Sequence, residues 1–133
     1  MTKIDSGKYN LTKAIPPYAE RGLKEDRMAE GILEATITNW ETEVTNAQGL
    51  VMIDFWAAWC GPCQMFASIF ENFAKENTNV FCVKVNVDDS PNISKEYQVM
   101  SIPTILFIKN GEVVKKQVGV LSKEIIKQIV NEL

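Results

Sequence analysis

The feature that most constrains the fold is an apolar run at residues 50–56, which is followed almost at once by two cysteines. The run reads LVMIDFW, so Asp54 is its one charged member. An apolar run of this length indicates a strand that is buried on both faces, as at the centre of a parallel sheet with helices on both sides. The sequence therefore predicts an α/β fold whose central β-sheet is flanked by helices on both faces.

The segment WCGPC at residues 59–63 stands between this strand and a helix-periodic segment. Pro62 suits the first turn of a helix, because its missing N–H would have no intrahelical partner there. Cys60 then lies near the helix cap and Cys63 lies in the first turn, so the two side chains share one face and can form a disulfide. Unpaired N–H groups and the helix dipole favour a thiolate on Cys60. We therefore predict that Cys60 is the nucleophile and that Cys63 resolves the mixed disulfide.

Hydrophobic periodicity and turn residues predict the other elements. These are a strand at 32–37, a helix from 38 to about 46, a long helix at 63–77, a strand at 80–87, a short helix at 92–98, a hairpin of strands 103–109 and 112–118, and a helix at 122–133. The two longer helices should bury Met65, Phe66, Ile69, Phe70, Phe73 and Ala74, and Ile125, Ile126, Ile129 and Val130, respectively. Cys82 lies inside a predicted strand and is interpreted as a small core residue.

Two charged residues interrupt otherwise apolar strands. Burial of Asp54 should raise its pKa, and we interpret it as the proton acceptor for Cys63, either directly or through a water. The alternative is a carboxylate that makes a structural hydrogen bond. Lys84 interrupts the predicted strand at 80–87 in the same way, and its alternative interpretation is a solvated strand end.

Length, charge and composition indicate how many domains the chain forms, which partners it binds and where it is located. A chain of 133 residues fits one domain with a single core. Residues 1–30 carry many charges and differ in composition from residues 31–133, so we expect an N-terminal extension that is partly ordered or disordered. The net charge of -3 and the lack of a basic stripe argue against nucleic acid as a partner. No apolar run reaches the length of a membrane span, and the first residues lack a secretory signal, so we expect a cytoplasmic protein.

The residues around the cysteines resemble the active-site segment of thioredoxins. The resemblance rests on VMIDFWAAWCGPC at 51–63, SIPTILF at 101–107, KNGEV at 109–113 and VGVLS at 118–122, and it covers roughly residues 31–133. It implies a thioredoxin fold with a mixed central sheet, acting as a monomeric protein disulfide reductase that needs no bound cofactor and no metal. Its partners would be disulfide-containing client proteins and a thioredoxin reductase. The resemblance also implies that Asp54 is the proton acceptor and that Lys84 accompanies it.

The same resemblance implies a substrate-binding surface around Cys60. In the family, the peptide bond that corresponds to Ile102–Pro103 is cis and faces the dithiol. The implied surface is a flat apolar patch formed by Trp59, Gly61, Pro62, Ile102, Pro103, Gly119 and Val120. The family usually places a kinking proline where this sequence has Ser68, so the sequence leaves open whether the long helix is kinked.

Two other classes of function compete with a disulfide reductase. The first is a zinc-binding module that would use Cys60 and Cys63, for which only Cys82 and carboxylates remain as further ligands. The second is a redox-capable fold that serves mainly as a binding or assembly subunit, because the same apolar patch would serve both purposes.

Overall fold

The computed structural model describes residues 31–133, and the predicted N-terminal extension at residues 1–30 lies outside them. These residues contain a five-stranded sheet with the order β1-β3-β2-β4-β5. The strands are β1 (Leu33–Glu34), β2 (Leu50–Trp56), β3 (Phe81–Asn86), β4 (Thr104–Lys109) and β5 (Glu112–Val118). The first three strands are parallel, while β4 is antiparallel to β2 and β5 is antiparallel to β4. The predicted mixed sheet is therefore confirmed.

Within residues 31–133, three α-helices and one π-helical segment accompany the sheet, and the last helix follows the last strand. They are the π-helical segment Glu41–Thr45, α1 (Gly61–Glu76), α2 (Pro91–Glu96) and α3 (Lys123–Glu132). The helix α1 is continuous through Ser68.

The strand predicted at 32–37 is correctly placed but is shorter than predicted. Its last sheet hydrogen bond runs from the N–H of Ala35 to the carbonyl of Lys84, at 2.9 Å. The N–H of Thr36 then donates to the side-chain oxygen of Asn39 at 2.7 Å, which turns the chain away from the sheet. Ile37 is left 68% exposed.

The sheet separates two cores, as the apolar run at 50–56 predicted. One face carries Val51, Ile53 and Phe55 and packs against residues of the π-helical segment and α2. The other face carries Met52 and packs against apolar residues of α1 and α3. The strand β2 is therefore covered on both sides, and its C-terminal end leads directly to the cysteines.

Two residues that we expected to be buried by the helices are exposed. Met65 of α1 is 65% exposed and Ile125 of α3 is 43% exposed. Each is one residue, about 100° around the helix, from a fully buried neighbour, Phe66 or Ile126. Because one side of each helix faces the sheet and the other faces solvent, the buried stripe is narrower than the apolar pattern suggested.

The hairpin of β4 and β5 turns at Asn110 and Gly111, as the sequence predicted. Both residues have positive φ, at 53° and 87°, which is the conformation that an Asn-Gly hairpin turn adopts. Gly111 also lies close to other backbone, because a Cβ atom there would stand 3.1 Å from the carbonyl oxygen of Thr45.

The close approach of Gly111 to the backbone of Thr45 can be tested with a matched pair of variants. Gly49 has nearly the same φ, 86°, but a Cβ atom there would meet nothing within 4 Å. We expect Gly49→Ala to lower the free energy of unfolding by about 1 kcal/mol, the usual cost of a left-handed conformation for an L-residue. Gly111→Ala should cost about 2 kcal/mol or more, because the contact with Thr45 adds to it. Urea unfolding of both variants measures the difference, and equal losses would show that the backbone at Thr45 yields freely.

Candidate functional site

The two cysteines lie where β2 ends and α1 begins. Cys60 is the N-cap residue of α1 in an extended conformation, and Pro62 occupies the first turn. Cys60 and Cys63 form a disulfide across a Cα–Cα distance of 5.3 Å. The predicted pairing and its placement at a helix start are both confirmed.

The two sulfur atoms differ in their hydrogen bonding at the helix cap. The N–H of Cys63 donates to the Sγ atom of Cys60 at 3.2 Å. The first turn of α1 carries no acidic residue, so the positive end of the helix dipole is not neutralised by its own side chains. A negative charge on Sγ of Cys60 would therefore be stabilised by this hydrogen bond and by the dipole.

The two cysteines differ little in exposure. In the disulfide, Cys60 is 5% exposed and Cys63 is 2% exposed. They form a buried cluster with Ala57, and Ile102 packs against this cluster. Access is limited for both sulfur atoms in this oxidised form. The asymmetry between them rests mainly on the hydrogen bond at the helix cap.

The loop before β4 faces the disulfide. The carbonyl oxygen of Ile102 lies 3.8 Å from Sγ of Cys60. The Ile102–Pro103 peptide bond is cis, and the carbonyl of Pro103 accepts a hydrogen bond from the N–H of Gly119 at 2.8 Å. The structure thus brings residues that are more than 40 positions apart in sequence to the same sulfur atom.

The residues predicted for the substrate surface differ in exposure. Trp59, Gly61, Pro62 and Val120 are exposed, Ile102 and Gly119 are half-buried, and Pro103 is buried. Trp59 is 70% exposed, and its indole N–H donates to the side chain of Asp88 at 2.9 Å. Pro103 can therefore support the surface from below but offers little area to a partner.

Sequence reasoning missed one exposed apolar residue in the loop before β4. Met100 is 91% exposed and lies two positions before Ile102. A large apolar side chain in the loop just before the Ile-Pro pair was the available signal.

Asp54 lies on the sheet face that α1 covers. Side chains alternate along β2, so Asp54 points to the same side as Met52, which packs against Phe66 and Phe70 of α1. Its side chain is fully buried, and among residues 31–133 neither carboxyl oxygen has a hydrogen-bond partner. No residue in this part of the chain therefore forms the structural hydrogen bond that we considered as the alternative role of Asp54.

The surroundings of Asp54 favour its protonated form. The pKa of Asp54 is raised from the usual 3.8 to about 7 as the net result of three causes. Burial raises it most, the positive charge of Lys84 lowers it, and the negative charge of Glu34 raises it. The carboxyl group thus exchanges its proton close to neutral pH. A group of this kind can both take and release a proton under physiological conditions.

Lys84 is buried beside Asp54 instead of lying at a solvated strand end. Its residue is 8% exposed, and it pairs in register with Asp54 on one side and with Glu34 on the other. The ammonium group lies 4.8 Å from the centroid of the Trp56 ring, close enough for a cation–π contact. The alternative interpretation of Lys84 is therefore excluded.

The described part of the chain offers no site for the zinc alternative. Cys82, the third cysteine, lies buried in β3 and packs on the α1 side of the sheet. Within residues 31–133, no group of three or more cysteine, aspartate and glutamate side chains is placed to hold a metal ion. In the same range, no helix is long and apolar enough to cross a membrane.

Two cysteines form a disulfide at the N-terminus of a helix, and the central strand that precedes them carries a buried carboxyl group. This arrangement is typical of the thiol–disulfide oxidoreductases. Comparison with known proteins identifies the family within this class. The family model described as thioredoxin matches residues 31–132. The chain belongs to the thioredoxin family and is a thiol–disulfide oxidoreductase.

Individual relatives agree with this assignment. A thioredoxin of Chlorobaculum thiosulfatiphilum is 43% identical over 100 residues, which cover 74% of this chain and 93% of the relative. Thioredoxin 2 of Chlorobaculum tepidum is 41% identical over 106 residues, which cover 79% of this chain and 97% of the relative. The chloroplastic thioredoxin M5 of Oryza sativa subsp. japonica is 39% identical over 106 residues, and the match covers 79% of this chain but 62% of the rice protein.

Proposed function

We propose that this protein is a general reductase of disulfides in client proteins, with Cys60 as the nucleophile and Cys63 as the resolving thiol. The hydrogen bond from the N–H of Cys63 to Sγ of Cys60 carries the assignment of roles, because it stabilises negative charge on one sulfur atom and not on the other. Gly61 and Pro62 between the cysteines resemble the reducing members of the family.

The reaction begins with the reduced dithiol. The thiolate of Cys60 attacks one sulfur atom of a client disulfide, a bond forms between Cys60 and that sulfur, and the other client sulfur leaves as a thiolate that takes up a proton. Cys63 then loses its proton and attacks Sγ of Cys60. The Cys60–Cys63 disulfide forms and the second client sulfur leaves. Two electrons have passed from the dithiol to the client.

We propose that Asp54 takes the proton that Cys63 loses. Its burial on the α1 side of the sheet and its pKa of about 7 support this role, because an acid with that pKa accepts a proton at neutral pH and can return it to the leaving thiolate or to solvent. Lys84 stabilises the ionised carboxylate and so keeps part of the Asp54 population ready to accept a proton.

The client would bind across the surface formed by Trp59, Gly61, Pro62, Ile102, Gly119 and Val120, with Pro103 supporting it. The exposed ring of Trp59 and the backbone carbonyl of Ile102 beside Cys60 support this placement. An extended client segment can pair with such a backbone group while its side chains rest on the apolar patch.

We further propose a cytoplasmic monomer whose domain begins near Gly31, with neither a bound cofactor nor a nucleic-acid partner. The match from residue 31 onwards supports the start of the domain, and the negative net charge argues against a nucleic-acid partner. Reducing equivalents would come from a thioredoxin reductase. Since the rice relative is named as chloroplastic, the compartment is best tested in the source cell by microscopy of a tagged full-length protein.

An assay of insulin reduction tests the proposed function. With NADPH and a thioredoxin reductase, the purified chain should reduce insulin disulfides over many turnovers, and Cys60→Ser should not. A binding or assembly subunit would give the opposite pattern, with no turnover and with partner capture that Cys60→Ser leaves intact. Many turnovers by the wild type would therefore exclude the assembly role as the main function.

A further inference from the structure

We propose that Glu34 is a positioning residue for the exchange reaction, because it shares the ammonium group of Lys84 with Asp54 and thereby sets the pH at which Asp54 accepts a proton. This inference rests on the proton-acceptor role proposed above. Glu34 comes from the short strand β1, and neither the apolar pattern nor the family resemblance singled it out.

The register of three strands brings the groups together. Glu34 of β1 is directly opposite Lys84 of β3, and Lys84 is directly opposite Asp54 of β2. Neighbouring strands are about 4.8 Å apart, so Lys84 stands between two carboxyl-bearing residues at that spacing on each side. Side-chain alternation places Glu34 on the same face as Ile32, which belongs to the core under α1 and α3 together with Met52. All three side chains therefore point to the α1 side of the sheet.

Glu34 is held in this position by its neighbours. The backbone N–H of Asn86 hydrogen-bonds its carboxyl group, and its own carbonyl accepts a hydrogen bond from the side chain of Asn39 at 3.3 Å. The residue is half-buried, whereas Asp54 is fully buried. Its charge is thus only partly screened by water and acts on Lys84 and Asp54 through the protein.

Few charged groups of residues 31–133 act on Asp54. Lys84 acts from β3 and Glu34 acts from β1, while the partner of Asp54 on β4 is the apolar Ile105. The N-terminus of α1 contributes Cys60 as its N-cap residue and Cys63 in its first turn, and that turn carries no acidic residue. Beyond β3, Asp89 acts on Glu34.

The interaction of both carboxyl groups with Lys84 fixes the direction in which Glu34 shifts the pKa of Asp54. When Asp54 ionises, its negative charge is repelled by Glu34, and both carboxylates compete for one ammonium group. Burial raises the pKa of Glu34 as well, while Lys84 lowers it, which is the pattern of two acids coupled through one base. Removal of the charge at Glu34 should make Asp54 easier to ionise.

A direct titration of Asp54 tests this coupling. The carboxyl carbon of Asp54 is followed by NMR from pH 4 to 9 in the oxidised full-length chain. Glu34→Gln should move the titration midpoint to lower pH, and Glu34→Asp, which keeps the charge, should leave it nearer to the wild-type value. Glu112→Gln is the matched control, because it removes one carboxylate from exposed β5, two strands away from β2 across β4. It should not move the midpoint.

The rate of disulfide reduction provides the second measurement. Below the wild-type midpoint the rate follows the ionised fraction of Asp54, so Glu34→Gln should reduce a model disulfide about two- to threefold faster at pH 6. An unmoved or raised midpoint overturns the proposal, and so does a lowered midpoint without any change in the rate profile. Asp54→Asn, measured in parallel, separates the two proposals: if that variant keeps the wild-type rate profile, the acceptor role of Asp54 itself is wrong.

Discussion

The Cys63→Ser variant is expected to accumulate covalent complexes with client proteins, whereas Cys60→Ser accumulates none. In Cys63→Ser, the sulfur atom at the helix cap still attacks the client disulfide, but no second thiol releases the product. In Cys60→Ser, the remaining Cys63 lies within the first turn and lacks the hydrogen bond that stabilises a thiolate at the helix cap. Non-reducing electrophoresis of each variant after exposure to a disulfide-containing extract measures the complexes, and reducing agent should dissolve them.

Both variants should also lose at least about a thousandfold in catalysed insulin reduction, because each removes an obligatory sulfur atom. The matched control is Cys82→Ala, since Cys82 is buried in β3 outside the disulfide. That variant should trap no more client than the wild type. Equal trapping by the Cys60 and Cys63 variants would overturn the assignment of nucleophile and resolving thiol.

Replacing Asp54 with alanine is expected to make the oxidised protein more stable and less active. The folded protein holds the carboxyl group at a pKa of about 7, and the unfolded chain holds it near 3.8. A raised folded pKa means that the native state binds more protons than the unfolded state between these values, so the wild type loses stability as pH rises through that range. The loss is complete above pH 7.

The size of the effect follows from the same two values. A rise from 3.8 to about 7, at about 1.4 kcal/mol per pKa unit, corresponds to about 4 kcal/mol at saturation. Asp54→Ala removes this unfavourable term, but it leaves a small cavity that costs about 1 kcal/mol. We therefore expect a net gain of about 3 kcal/mol at pH 8 and little or no gain at pH 4.

The loss of activity should appear in the step that needs deprotonated Cys63. A positioned general base contributes about a hundredfold or more in many enzymes, so we expect this step to slow by at least about tenfold at pH 7. Denaturant midpoints of the wild type and Asp54→Ala from pH 4 to 9 measure the stability, and stopped-flow reduction of a chromogenic aromatic disulfide measures the rate. A variant that is less stable at every pH, or equally fast, would refute the acceptor role. Asp54→Asn, which preserves the side-chain shape, separates the loss of charge from the cavity.

Much of the fold could be predicted from local sequence. The run at 50–56 indicated a strand buried on both faces because almost every side chain in it is apolar, and β2 is so buried. Pro62 after Cys60 indicated a helix start because proline fits only the first turn of a helix without loss. Asn110 and Gly111 indicated the hairpin because both tolerate positive φ. Each of these signals depends on residues within a few positions of one another.

The local signals failed where burial depends on what covers a residue. Met65 and Ile125 belong to apolar helix stripes, yet each is exposed because nothing covers the edge of its helix. Pro103, expected in an open surface, is buried beneath it, and Met100, which no pattern singled out, is almost fully exposed. A pattern of apolar residues states which side chains are suited to burial, but the packing of distant elements decides which of them are covered.

The sequence by itself determined the dithiol, its place at a helix start and the buried acid in the central strand. Tertiary structure decided what surrounds them. The carbonyl of Ile102 lies beside Cys60 because β4 pairs with β2. Glu34 and Asp54 lie on either side of Lys84 because three strands far apart in sequence adopt one register. The proton affinity of Asp54 depends on those neighbours and on the loss of water around it, and both arise only when the sheet and α1 have packed together.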